Sequence, residues 1–254
     1  MATYKKRGFK KKPFSNKIGD IGQKSATANV FNTLDEGASK TEKWVAKNQK
    51  YIFGLIGLTA IVVLGYFGYF KYIKEPKEVN SMDSMFVAQR LFEQALDENN
   101  DSIYRLSING NGMKMGFLEI IDKYSGTNAS NLSNYYAGIS YLKLKDYKNS
   151  IKYLSQFNSD DQILSSLAKG SIGDCFVQLD QLEDALDYYE KAIDINTNDY
   201  TTAMYLLKAA HVSMELNKNK KSYNYFSRIK SDFPNTVSAE NIDVFISKAK
   251  ALLK

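Results

Sequence analysis

The stretch LAKGSIGDCFVQLDQLEDALDYYEKAIDIN, residues 167–196, decides the fold. It sets Gly173-Asp-Cys-Phe176 ahead of Leu179, Leu182, Ala185 and Tyr189, so small and large residues alternate at helical intervals. The same succession stands upstream as Gly138-Ile-Ser-Tyr141, Leu144, Tyr147, Ser150 and Leu154. It returns downstream as Ala210-His-Val-Ser213, Leu216, Asn219, Ser222 and Phe226, closing at Pro234. The registers are 35 and 37 residues apart. A period of this length marks stacked helix–turn–helix units, none of which can bury its apolar face alone. Small residues at Gly138 and Gly173 let the first helix of a unit approach its partner. Ser150, Ala185 and Ser222 do the same on the second helix, and the large residues fill the space between.

Small–x–x–aromatic followed nine positions later by a small residue, then an aromatic, resembles the tetratricopeptide (TPR) repeat. The middle copy carries the pattern most fully, and the third lacks the aromatic at Ser213. The expected fold is all-α: a single N-terminal transmembrane helix, then a TPR-type α-solenoid closed by a C-terminal capping helix. The expected segments are a basic tail with a juxtamembrane helix (1–50), the transmembrane helix (51–72), a linker with N-terminal helices (73–130), and the repeats with their cap (131–254). The repeats read as about 131–164, 166–199 and 203–236. Before them, Met85, Ala88, Phe92 and Ala95 share a helical face, Asn99–Gly112 reads as a turn-rich stretch, and Phe117, Ile120, Ile121 and Tyr124 form a short helix. The last segment, Ala239 to Leu253, with Ile242, Phe245, Ile246, Ala249 and Leu252, reads as the capping helix.

Tyr51 to Phe70 is free of charge and bracketed by Lys50 and Lys71. As a helix it spans roughly 30 Å, the thickness of a hydrocarbon core. Tyr51 and Phe53 at one end and Tyr66, Phe67, Tyr69, Phe70 and Tyr72 at the other suit membrane interfaces. The run ends in Gly-Tyr-Phe-Lys, not in small residues, so it reads as an uncleaved anchor. Residues 1–50 hold twelve Lys/Arg and four Asp/Glu, a net +8, which leaves −2 of the chain's +6 for the rest. Basic flanks stay cytoplasmic, so the repeats are expected across the membrane. Gly54, Gly57, Gly65 and Gly68 fall on one face of the span and offer a flat surface for another helix.

The first seventeen residues, MATYKKRGFKKKPFSNK, have the charge density of a solvated tail that contacts anionic lipid, or ribosomal RNA where a ribosome docks. Ala28, Phe31 and Leu34 share a face, and Ser39-Lys-Thr-Glu42 has the form of a capping box. The helix it predicts carries Lys43, Lys47 and Lys50 on one stripe, with Trp44 at the bilayer interface.

Chemistry-bearing patterns are missing. Cys175 is the single cysteine and reads as a small core residue; His211 is the single histidine. The chain has no HExxH, no Walker-type glycine loop and no GxSxG. Glu183, Asp184, Asp187 and Glu190 read as a solvated helix face. No catalysis, metal or cofactor is expected. The remaining candidate site is the TPR groove, predicted to be lined by Tyr135, Ile139, Leu142 and Lys143 from the first repeat, Asp174, Val177 and Gln178 from the second, and Leu207, His211, Met214 and Glu215 from the third. Such a partly apolar lining suits helical or extended peptides. Asp83-Ser84-Met85 and Asp101-Ser102-Ile103 resemble a bacterial O-glycosylation consensus at Ser84 and Ser102.

MATYKKRGF at the start, VFNTLDEGASKTEKWVAKNQKYI before the span and GFLEIIDKYSGT…YYAGISYLKLKDY after it resemble a bacterial family of ancillary SecYEG translocon subunits. The resemblance implies an inner-membrane anchor, a periplasmic TPR domain, and association with the SecYEG channel and a membrane-anchored periplasmic peptidyl-prolyl isomerase. It also implies contact with exported polypeptides on their way to periplasmic chaperones. A tethered scaffold for envelope assembly or division is an alternative. An organellar import receptor fits less well, because the basic tail places the repeats away from the cytosol.

Overall fold

The computed structural model describes residues 26–253, and the regular structure among them is helical. The basic first seventeen residues lie outside the described residues, as does the side chain of Ala28. The chain divides between Gly68 and Tyr69 into two units.

The described residues of the first unit belong to helix α1, Ala26–Tyr69, whose last residue lies past the division. It runs through Ser39–Glu42 without interruption, so the expected capping box does not start a helix. The Thr41 hydroxyl instead donates back to the Gly37 carbonyl at 2.8 Å, the bond such residues make inside a helix. An apolar window of α1 has mean hydropathy 2.0, none of it buried. Leu55, Leu58, Ile61 and Leu64 are each at least 60% exposed. By length and composition it is the one helix among the described residues able to cross a membrane.

The second unit is built on a turn that repeats. Lys145, Asp180 and Asn217 occupy the left-handed region, at φ 61°, 58° and 58°. Each ends the first helix of a pair: α5 (Asn128–Lys143) with α6 (Tyr147–Gln156), α7 (Gln162–Gln178) with α8 (Leu182–Ile195), and α9 (Thr201–Glu215) with α10 (Asn219–Asp232). The hydrogen bonds are the same each time. Asp146, Gln181 and Lys218 donate to the carbonyls of Tyr141, Phe176 and Ser213 at 2.9, 2.9 and 2.8 Å, closing a Schellman motif. Ser213, without the aromatic of its counterparts, still makes the turn and is fully buried.

The small residues sit where the helices cross. A methyl carbon built on Gly138 would stand 2.5 Å from Leu154 Cγ, and one on Gly173 2.7 Å from the Tyr189 ring. Gly170 makes a closer approach between successive pairs, against the ring of Tyr205. Cys175 is fully buried, its Sγ 3.2 Å from Ser150 Oγ, and burial pushes its thiol up to about 11.

The stretch read as turn-rich contains a helix. α2 (Glu75–Glu98) ends on Asn99 in the left-handed region, and α3 (Asp101–Asn109) starts on Asn100, whose side chain accepts from the Ser102 amide. The Asn-Asn pair is therefore a two-residue junction, with the first residue a C-cap and the second an N-cap. Asn100 donates to the Ala95 carbonyl at 3.1 Å, matching the three later turns. At the positions of Gly138 and Ser150, this hairpin carries Phe92 and Tyr104, packed edge to face with centroids 6.0 Å apart. Gly110 and Gly112 make the following loop, and α4 (Phe117–Lys123) leads into α5.

The cap is helix α11, Ile242–Ala251, preceded by a short 3₁₀ turn at Val237–Ala239. Ile242 and Ala249 are buried, but Leu252, against expectation, lies past the helix end and is 47% exposed. Phe245 stacks on Phe226 at 5.4 Å, with His211 edge-on to Phe226 and Phe245 at 5.3 and 4.9 Å. Burial holds the His211 imidazole below its ordinary 6.5; Glu215 works against this and Lys248 with it.

Two measurements test this packing. Alanine is favoured over glycine by about 1 kcal/mol in an open helix, so Gly173→Ala would stabilise a loosely packed pair. With the Tyr189 ring in the way, it should instead destabilise by about 1–3 kcal/mol in urea titration, while exposed Ser155→Ala changes little. In the second, the unfolded chain protonates His211 before the folded chain does. The stability held near pH 7 should decline as pH falls below about 6.5, and thermal melts of His211→Gln should lose that part of the slope.

Candidate protein-binding face

The first helices of the pairs, α5, α7 and α9, lie in succession and contact one another. Their C-terminal ends project side chains beside the turns. A cleft there is lined by Leu142, Lys143, Lys145, Tyr147, Asp174, Val177, Gln178 and Tyr189. Five of the predicted groove residues, Leu142, Lys143, Asp174, Val177 and Gln178, meet in it. The Tyr147 hydroxyl spans it, donating to Gln178 Oε1 at 3.3 Å.

The other predicted groove residues go elsewhere. Tyr135 packs on Phe157 at 5.2 Å, and Ile139 is partly buried between two core clusters. Leu207 lines a separate apolar cleft with Tyr200, Met204 and Val237. His211 is engaged with the rings of α10 and α11, and Met214 packs against the C-terminal core. Glu215 is exposed at the end of α9.

Asp174 is the most connected of the groove residues. Its carboxylate accepts from Lys208 Nζ at 2.7 and 2.8 Å and from the Tyr189 hydroxyl at 2.7 Å. Lys208 also lies over the rings of Tyr189 and Tyr205, at 5.9 and 5.5 Å from their centroids. Burial, then the Asp174 charge, push the Tyr189 hydroxyl far above its ordinary value, so it serves as a donor. Lys208 escaped the sequence reading, although its distance from Asp174, 34 residues, is one repeat length.

The acidic face of α8 behaves the same way. Glu183 pairs with Lys218, and Glu190 accepts from Lys221 at 2.8 Å and from the Tyr225 hydroxyl at 2.5 Å. Burial pushes the Glu190 carboxyl up, but the bonds from Lys221 and Tyr225 outweigh it and hold the group below its usual value. The expected solvated face is thus half committed to the next repeat. Exposed pairs contribute only about 0.2–1 kcal/mol each, so their main effect is to fix register.

Outside the cleft, Lys43, Trp44, Lys47 and Lys50 are exposed on α1. Methyl carbons built on Gly54, Gly57, Gly65 and Gly68 would meet nothing within 4 Å. Ser84 lies within α2, its hydroxyl donating to the Asn80 carbonyl at 2.9 Å, and Ser102 is exposed in the first turn of α3. Among the described residues, no three His, Cys, Asp or Glu side chains converge to hold a metal.

The tetratricopeptide repeat family model matches residues 133–160, the first of the three similar hairpins. Among solved structures, the chain is similar to the MamA protein, at 15% identity and TM-score 0.48 over 67% of this chain and 88% of that one. It is also similar to nearly identical TPR-like repeats of a Podosopora anserina protein, at 9% identity and TM-score 0.48 over 72% of this chain and 89% of that one. No curated protein matches it. With its repeated turns and crossings, the chain is an all-α TPR-like repeat protein.

Proposed function

We propose that this chain is a non-catalytic, membrane-anchored interaction subunit of the bacterial Sec translocon. In this reading, residues 51–72 cross the inner membrane, residues 1–50 stay in the cytoplasm, and the repeats work in the periplasm. There they help pass exported polypeptides to a membrane-anchored peptidyl-prolyl isomerase and other folding factors. The observation that carries the proposal is an apolar helix, α1, exposed along its whole apolar window, in the same chain as a TPR stack. Burying that window in lipid removes a large apolar surface from water. The net +8 of residues 1–50 supports the orientation, and the three quoted sequence phrases support the partner. In the tail, lysines meet anionic lipid or a docked ribosome.

Gentle solubilisation and capture on a C-terminal tag, followed by mass spectrometry, test the reading. Sec channel subunits and a periplasmic isomerase should co-purify. Division or outer-membrane assembly proteins without Sec subunits would overturn it.

A further inference from the structure

The junctions between hairpins differ in charge. Between the second and third, Lys208, Lys218 and Lys221 are taken up by Asp174, Glu183 and Glu190. The cleft between the first and second carries Lys143 and Lys145, both exposed, and neither makes an ion pair among the described residues. The carboxylate in the same cleft, Asp174, is already committed to Lys208 and to the Tyr189 hydroxyl. Two uncompensated ammonium groups therefore stand beside an aliphatic wall of Leu142 and Val177.

We infer that this cleft receives an acidic–aliphatic stretch of polypeptide: an Asp or Glu carboxylate on Lys143 and Lys145, and a neighbouring Leu, Ile or Val against Leu142 and Val177. The inference rests on the reading of the repeat domain as a polypeptide-binding scaffold. Charge decides the occupant. A basic segment would meet the lysines with no free carboxylate in the cleft to offset them, whereas an acidic one gains charge-assisted hydrogen bonds. The aliphatic wall adds contact that a bare anion cannot use. The Asp174–Lys208 pair is part of the selection, because an unpaired Asp174 would repel the ligand.

The test is fluorescence anisotropy on the full chain in detergent, with a labelled peptide alternating Glu and Leu pairs. Controls carry Gln or Lys in place of Glu. The Glu peptide should bind roughly tenfold tighter than the Gln peptide, and the Lys peptide should bind weakest. In the combined variant Lys143→Gln, Lys145→Asn, the Glu peptide should fall to the level of the Gln peptide. Both sites are exposed, and asparagine accepts the left-handed conformation of position 145. Asp174→Asn should tighten the Glu peptide severalfold. Equal affinity for the Glu and Gln peptides overturns the inference, as does undiminished Glu-peptide binding by the double variant with its helical circular dichroism intact. If no peptide binds while the tagged chain still recovers Sec subunits, the inference fails and the translocon reading stands. Selective binding without Sec recovery gives the converse.

Discussion

Two helices can close to backbone distance only where neither carries a large side chain at the crossing. In this chain that condition falls at Gly138 and Gly173, with Ser150 and Ala185 opposite, and at Ala210 with Ser222. Leu154, Tyr189 and Phe226 then fill the space beside each crossing and are buried. The left-handed residue at each turn fixes how far each helix runs before its partner begins. Helix α2 with α3 obeys the same turn but not the same crossing, since Phe92 and Tyr104 occupy the small positions. That hairpin is braced by aromatic packing and tied to the α4–α5 region by Lys77 and Glu78, bonded to the Ser125 carbonyl and the Asn128 amide.

Polar contacts act on top of this frame. The second repeat supplies carboxylates and the third supplies lysines, and three pairs cross between them. Each is partly solvated, so none competes in energy with the buried rings. They do penalise a shifted register, because a slipped stack would set like charges together. The junction before it lacks such pairs, and its free lysines are the most distinctive feature of the cleft.

Most of the fold was legible because repeat packing is local. Small residues and aromatics at helical spacing report which faces meet, and the 35- and 37-residue registers report how often. Helix α3 was not legible, because Asn-Asn-Asp and Asn-Gly-Asn-Gly are the residues both of loops and of tight caps. Here they bound a nine-residue helix. The commitments of Glu183, Glu190 and Asp174 were hidden for another reason. A helix-face reading seeks partners three or four positions away, and these partners lie 31 to 35 positions on, in the next turn of the stack. The groove was read as one continuous lining; the structure gathers five of its residues into one cleft and gives Tyr135, His211 and Met214 to packing.

A stack of modules is as cooperative as its weakest coupling between neighbours. Here the couplings respond to different solution conditions: the second and third modules are joined partly by partly solvated charges, the first and second by apolar packing and uncharged hydrogen bonds. Ionic strength therefore acts as a selective loosening agent. Concentrated salt weakens only those charges, while the apolar core shared by α8, α9, α10 and α11 keeps the carboxy-terminal hairpin and its cap in the stack. Amide exchange beside Asp174, Glu183 and Glu190 would then quicken slightly with salt, while that in α5 and α6 would not respond.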